Sequence, residues 1–286
     1  VQTVHNYRHV CVAGTFFRDN RLCHDCSDRR VPWPAVLHGC YHQSPLQSAS
    51  LGLSVGLHRS TWRLIDRFLP VGRSVARHLE DMGIDPNRIT VRHNPVADPG
   101  PPPPPGPGGA LFVGRLSAEK GAALLLAAWK RSGLGAQNRL RIAGDGPDAI
   151  SIRRGAADTP GVELLGSVSH QRALELITES SFVVVPSLWE EPFGLAAVEA
   201  LARGRPVVAT NIGEPAHLID ATTGWIVEAT EDALAGGLRA AFDSQLDAYG
   251  RAARKRYERD HSPGRALHAL LDAYGRTIED RMGSGR

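Results

Sequence analysis

The run Pro186-Ser187-Leu188-Trp189-Glu190-Glu191-Pro192-Phe193-Gly194-Leu195-Ala196-Ala197-Val198-Glu199 follows four apolar residues, Phe182-Val183-Val184-Val185. The apolar tetrad reads as a buried parallel strand, and Pro186-Ser187 turns the chain out of it. Pro192 suits the first position of a helix, where its missing N–H costs nothing. Leu195, Ala196, Ala200 and Leu201 then supply an apolar helix face. Glu191 is therefore predicted at the carboxyl end of a strand, where open α/β sheets bind ligands. The amides of Phe193, Gly194 and Leu195 would open the helix and favour a phosphate or another electron-rich group. Along such a helix Glu191 and Glu199 stand roughly 10 Å apart, each carboxylate placed to hold a pair of hydroxyls.

Outward from this unit, strand and helix signals alternate. Residues 110–113, 140–143, 162–165, 182–185 and 206–209 read as strands, and 122–130, 170–178 and the segment after Glu191 as helices. That alternation predicts a parallel sheet with helices on both faces. Residues 1–95 form a shorter first part, and 96–109, with Pro99-Gly100-Pro101-Pro102-Pro103-Pro104-Pro105-Gly106-Pro107-Gly108-Gly109, read as a polyproline linker ending in flexible glycines. Residues 110–263 form the second part. A last helix is expected over 264–286, with Leu267, Leu270, Leu271, Tyr274 and Ile278 on one apolar stripe.

Glu191-x7-Glu199, set in Glu-Pro-Phe-Gly and followed by Gly204-x-Pro206-Val207-Val208-Ala209-Thr210, resembles the signature of the retaining GT-B glycosyltransferases of family 4, the glycosyl transferases group 1. The resemblance runs from His5-Asn6-Tyr7 to about Arg276. It implies an α/β fold of GT-B type, with a Rossmann-like donor domain beside an incomplete Rossmann-like acceptor domain and a terminal helix returning to the first domain. It also implies that Glu191 contacts the donor sugar, Glu199 holds the ribose, and His5 reaches the sugar from the first domain. In Phe112-Val113-Gly114-Arg115-Leu116-Ser117-Ala118-Glu119-Lys120-Gly121, the matching Arg115 and Lys120 would neutralise the diphosphate, and Gly114 would let the backbone approach it. Two fixed cations suit a leaving group that gains charge in the transition state, Arg as a fork and Lys as a point charge. Gly144, in Ile142-Ala143-Gly144-Asp145-Gly146-Pro147, resembles the second glycine loop near the nucleotide. Residues 166–170 fall beside the base, and UDP, GDP and ADP stay open. Asn211-Ile212-Gly213-Glu214-Pro215 departs from the family's Gly-Gly-x-x-Glu and receives no role.

The implied activity is transfer of a sugar from a nucleoside diphosphate sugar to a hydroxyl acceptor, with retention (EC 2.4 class). The acceptor would be a glycan or lipid-linked precursor in polysaccharide biosynthesis, in a cytoplasmic bacterial enzyme peripheral to the inner face of the membrane. With no Asp-x-Asp motif, no catalytic metal is expected. The first part is shorter than a full acceptor domain and shows no front half with its glycine-rich loop. The alternative is therefore a truncated, non-catalytic remnant that only binds nucleotide. A sugar-nucleotide epimerase on the same fold is disfavoured by Glu-Pro-Phe-Gly.

Composition sets the remaining bounds. At 286 residues the chain suits two domains, and no apolar run is long enough to cross a bilayer. Nothing at Val1 resembles a signal peptide. Residues 1–95 carry a net charge of +5 and the remainder −2. A basic first part suits an anionic membrane or acceptor, or is simply a solvated Arg-rich face. Nucleic acid is disfavoured, because no element combines clustered Arg with stacking aromatics in a recognisable module. Cys11, Cys23, Cys26 and Cys40 follow C-x11-C-x2-C-x13-C, the donor set of one structural zinc, with idle reduced thiols as the alternative. A zinc-stabilised interaction module rests on these cysteines alone.

Overall fold

Few long apolar runs occur in the first 95 residues, and the elements they build are short. The computed structural model describes residues 1–283; the last three residues of the helix expected over 264–286 lie outside the described residues. Strand β1 (Gln2–Val4) pairs in parallel with β4 (Phe68–Pro70), Gln2 opposite Phe68 and Val4 opposite Pro70. Between them come a small antiparallel hairpin of β2 (Phe17–Arg18) and β3 (Arg21–Leu22), then helices α1 (Trp33–Leu37) and α2 (Pro45–His58). The Ser44 side chain caps α2 by accepting from the Gln47 amide at 3.3 Å. Helix α3 (Arg73–Asp81) follows β4. Val4, Tyr7, Phe16, Phe68, Leu69, Val75 and Leu79 are buried in this unit.

From residue 110 onward each apolar run becomes a strand and each amphipathic stretch a helix. The order is β5 (Ala110–Val113), α4 (Ala122–Ser132), β6 (Leu140–Ala143), α5 (Ala149–Ala157), β7 (Val162–Gly166), α6 (His170–Glu179) and β8 (Phe182–Val185). Then come α7 (Leu195–Ala202), β9 (Val207–Thr210), α8 (Pro215–Leu218), β10 (Gly224–Val227), α9 (Glu231–Phe242) and α10 (Leu246–Asp260). All six strands are parallel in the order β10-β9-β8-β5-β6-β7, and β5, β6, β8 and β9 are almost wholly buried. The sheet is a doubly wound α/β arrangement with helices on both faces. Its strand order reverses between β5 and β8, a topological switch point that opens a crevice at the carboxyl ends of these two strands.

The chain falls into two units. One holds Val1–Pro95, Trp189–Phe193 and the described residues from Gly264 on; the other holds Val96–Leu188 and Gly194–Pro263. The Pro/Gly run lies along the second unit. The Pro103 carbonyl accepts from Arg205 Nη1 at 2.9 Å, and the Gly106 carbonyl accepts from Ser181 Oγ at 2.6 Å. The glycines expected to be flexible are packed: a Cβ on Gly108 would meet the Glu179 carbonyl oxygen at 1.8 Å.

Arg205 is fully buried, and burial lowers its guanidinium to about 10. It also donates Nε to the Thr178 carbonyl at 3.0 Å and Nη1 to that of Gly204 at 3.3 Å. Arg205→Met keeps the stem volume but strands three carbonyls. It is expected to lower stability by about 2–4 kcal/mol, read as a lower urea midpoint at unchanged slope.

The terminal helix, α11 (Pro263–Gly283), corrects an expectation. Its buried face is Ala266, Ala273 and Thr277, while Leu267, Leu271, Tyr274 and Ile278 are exposed. The reason lies in its partners. Arg67 donates Nε to Thr277 Oγ1 at 3.3 Å and Nη2 to Asp280 at 2.8 Å, and Arg281 forks onto Asp66 at 2.9 and 3.0 Å. Small residues allow the close approach, and the polar latches set which face turns inward.

Candidate active site

Three turns at the carboxyl ends of β5, β6 and β8 are laced together by their backbones. Gly114 N–H donates to the Ala143 carbonyl at 3.0 Å, and Leu116 N–H to that of Asp145 at 2.9 Å. A Cβ on Gly144 would lie 1.8 Å from the Gly114 carbonyl oxygen, so a glycine is required there by contact. Leu188 N–H donates to the Glu119 carbonyl at 2.8 Å, and Thr210 Oγ1 to that of Ser187 at 2.6 Å. Gly114, Arg115, Lys120 and Gly144 thus stand on adjacent turns of one sheet edge, with Arg115 exposed and Lys120 half-buried. Beside the second turn is a cavity of about 330 Å³ whose walls include Gly144, Asp145, Arg153, Leu165 and Ser167.

Helix α7 begins later than expected. Its N-cap is Gly194 at φ +80°, so Pro192 and Phe193 belong to the preceding turn and the first helical amide is that of Leu195. A left-handed residue cannot continue a helix from Pro192, and a Cβ at Gly194 would press on Pro215 Cγ at 2.9 Å. Glu199 is consequently the fifth residue of α7, not two turns from its start, and the separation reckoned along one continuous helix does not apply.

Glu199 is buried, which pushes its carboxyl above the ordinary glutamate range against the pull of His170 and Arg203. His170 Nε2 lies 3.6 Å from Glu199 Oε1, and Arg203 Nη1 donates to the Glu199 carbonyl at 3.3 Å. The His170 contact was not foreseen as a partner for Glu199, since 29 positions of sequence separate them. Glu191 is also buried, and it groups with the first unit together with Phe193, whose ring centroid lies 5.9 Å from that of His93. His5 is exposed just past β1, at a cavity of about 410 Å³ whose walls include Asn6, His9, Leu51, Val55 and Trp62.

The four thiols are neighbours in the first unit. Burial raises Cys26 to about 11, with a further upward push from Cys11, Cys40 and Cys23. Among the described residues the group whose metal-ligating atoms all lie within 4.8 Å of one another is His24, His78 and Glu190; no three of the thiols meet that spacing. Burial alone would raise the Glu190 carboxyl, but hydrogen bonds from His24 and His78 and their charge outweigh it and bring it to about 2. The Glu190 hydrogen bond in turn raises His24 against its burial.

A six-stranded parallel sheet with glycine turns at its switch point defines a doubly wound α/β unit. The comparisons narrow the class. The model of the family Glycosyl transferases group 1 matches residues 100–259, and the chain belongs to that family. It is 34% identical over 151 residues to the GDP-mannose-dependent alpha-(1-6)-phosphatidylinositol dimannoside mannosyltransferase of Mycobacterium tuberculosis, covering 52% of this chain and 39% of that protein. It is 36% identical over 124 residues to the alpha-D-kanosaminyltransferase of Streptomyces kanamyceticus, covering 41% and 31%. The chain spans about a third of the length of such curated relatives. Among solved structures, a glycosyltransferase from Rickettsia africae superposes with a TM-score of 0.67 at 21% identity, over 82% of this chain and 74% of that one. The sucrose-phosphate synthase of Thermosynechococcus elongatus gives 0.68 at 19%, over 87% and 66%. Among the described residues no helix is long and apolar enough to cross a membrane.

Proposed function

We propose that this chain binds a nucleoside diphosphate sugar and belongs to an enzyme that transfers the sugar, with retention, to a hydroxyl of a glycan or lipid-linked acceptor. The observation that carries the reading is Glu199, a buried carboxylate near the start of α7, in the same unit as the Gly114–Lys120 and Gly144 turns. In this reading Glu199 accepts hydrogen bonds from the ribose hydroxyls, Arg115 and Lys120 hold the diphosphate, and Gly114 and Gly144 allow its backbone approach. The base enters the cavity walled by Asp145, Arg153 and Ser167. Glu191 and Phe193 serve the sugar, and His5 contacts it near the reacting carbon. The departing diphosphate takes the acceptor proton, and Arg115 and Lys120 neutralise its growing charge in place of a divalent ion. Relatives support the donor class: structures of HepE from Anabaena hold UDP, and a mycobacterial relative is GDP-mannose-dependent. The basic first unit suits an anionic acceptor or a peripheral place on the membrane.

Calorimetry with UDP, GDP and ADP tests the reading on the chain and on Glu199→Ala. One nucleotide is expected to bind, and the variant to bind it more weakly by about 1–3 kcal/mol as the ribose hydrogen bonds are lost. Absence of binding by all three, or equal binding by the variant, would overturn the assignment of Glu199.

A further inference from the structure

Three ligand-bearing side chains converge within the first unit. His24 comes from the turn between Cys23 and Cys26, His78 from α3, and Glu190 from the short Trp189–Phe193 segment of the same unit. The two Glu190 oxygens face the two imidazoles, Oε1 at 3.2 Å from His24 Nε2 and Oε2 at 2.6 Å from His78 Nε2. Neighbours hold the rings in place. Phe16 lies 4.8 Å from the His24 ring and 4.4 Å from the His78 ring, the two imidazoles stack at 5.7 Å, and Tyr7 meets His78 edge-on at 5.1 Å. On the far side of His78 the Asp81 carboxylate stands 4.0 Å from Nδ1, the side from which a carboxylate orients a metal-bound imidazole. Two imidazole nitrogens and one carboxylate suit a borderline divalent ion that keeps a water ligand. His24 is 41% exposed in its side chain, which leaves a way in.

We propose that His24, His78 and Glu190 bind one divalent transition-metal ion of the zinc type. Ligand atoms roughly 2.0–2.1 Å from a tetrahedral zinc stand about 3.3 Å apart. The ligand atoms of His24, His78 and Glu190 lie within 4.8 Å of one another, so side-chain adjustments of at most about 1.5 Å bring the three to that spacing. The ion ties the cysteine-bearing turn and α3 to Glu190, and through one peptide bond to the backbone of Glu191. This site stands independently of the sugar-transfer reading, because it needs no nucleotide.

The test strips the full chain with chelator and titrates it with Co²⁺ and Zn²⁺, on the native sequence, His78→Ala and Glu190→Gln. One equivalent is expected, with visible d–d absorption and no thiolate-to-cobalt charge-transfer band in the near ultraviolet. Each variant should bind at least about 10-fold more weakly. Failure to bind either ion, a thiolate charge-transfer band, or undiminished affinity in both variants would overturn the proposal. The spectrum of the native chain decides the matter even where a variant does not fold.

Discussion

Gly121→Ala is expected to destabilise the chain by about 2–5 kcal/mol, whereas Gly133→Ala costs about 1–2 kcal/mol. The two glycines have nearly the same backbone, φ +72° and +71°. They differ in what a methyl group would meet. At Gly121 a Cβ would lie 1.8 Å from the Pro186 carbonyl oxygen and 2.8 Å from its carbon; at Gly133 nothing stands within 4 Å. Both substitutions carry the left-handed penalty and the same gain from a stiffer unfolded chain. Their difference therefore isolates the contact. Pro186 has little room to withdraw, because β8 is paired with β9 just before it and Ser187 and Leu188 are bonded just after it. Urea unfolding of the two variants checks this. Coincident midpoints would show that the turn after β8 yields freely and that the two motifs are not braced against each other. In the expected case Gly121→Ala also weakens nucleotide binding, since the turns move together.

What could be read beforehand from the chain was what depends on neighbours in sequence. Phe182–Val185, Ala110–Val113 and Leu140–Ala143 are apolar tetrads bounded by turn residues, and each becomes a strand at the expected residues. Local preference misled where tertiary contact outweighs it. Pro192 is a good helix opener, yet Gly194 in the left-handed region delays α7 to Leu195. On α11 the large apolar stripe marks the inward face by composition, but Arg67 and Asp66 take Thr277, Asp280 and Arg281 as partners and draw the small-residue face inward. The proline run reads as a linker because its composition carries no sign of Arg205, about a hundred residues later, waiting to bind Pro103. Of the candidate site, the glycines, cations and glutamates were legible as a motif. The His24–His78–Glu190 cluster was not, for its members lie 54 and 112 residues apart and no spacing rule joins them.

Loss of both cations should produce the largest functional effect. Arg115→Ala with Lys120→Ala is expected to weaken nucleoside diphosphate binding by about 10²–10⁴-fold, at about 1.5–3 kcal/mol for each charge-assisted hydrogen bond. Both residues sit on the turn between β5 and α4, at the strand whose exchange of neighbours makes the switch point. Neither is fully buried, so removing them leaves the sheet intact. The discriminating ligand is the nucleoside without phosphates, whose affinity should not change. An equal loss for nucleoside and diphosphate would mean that the turn has collapsed, and the electrostatic assignment would fail. Arg115→Lys should recover only part of the binding, because a point charge cannot fork onto two phosphate oxygens. The same cations would act more strongly on a departing diphosphate than on a bound one, because charge builds there as the sugar leaves. In the enzyme proposed above, losing either should lower turnover by about 10²–10³-fold, more than it lowers affinity for the donor.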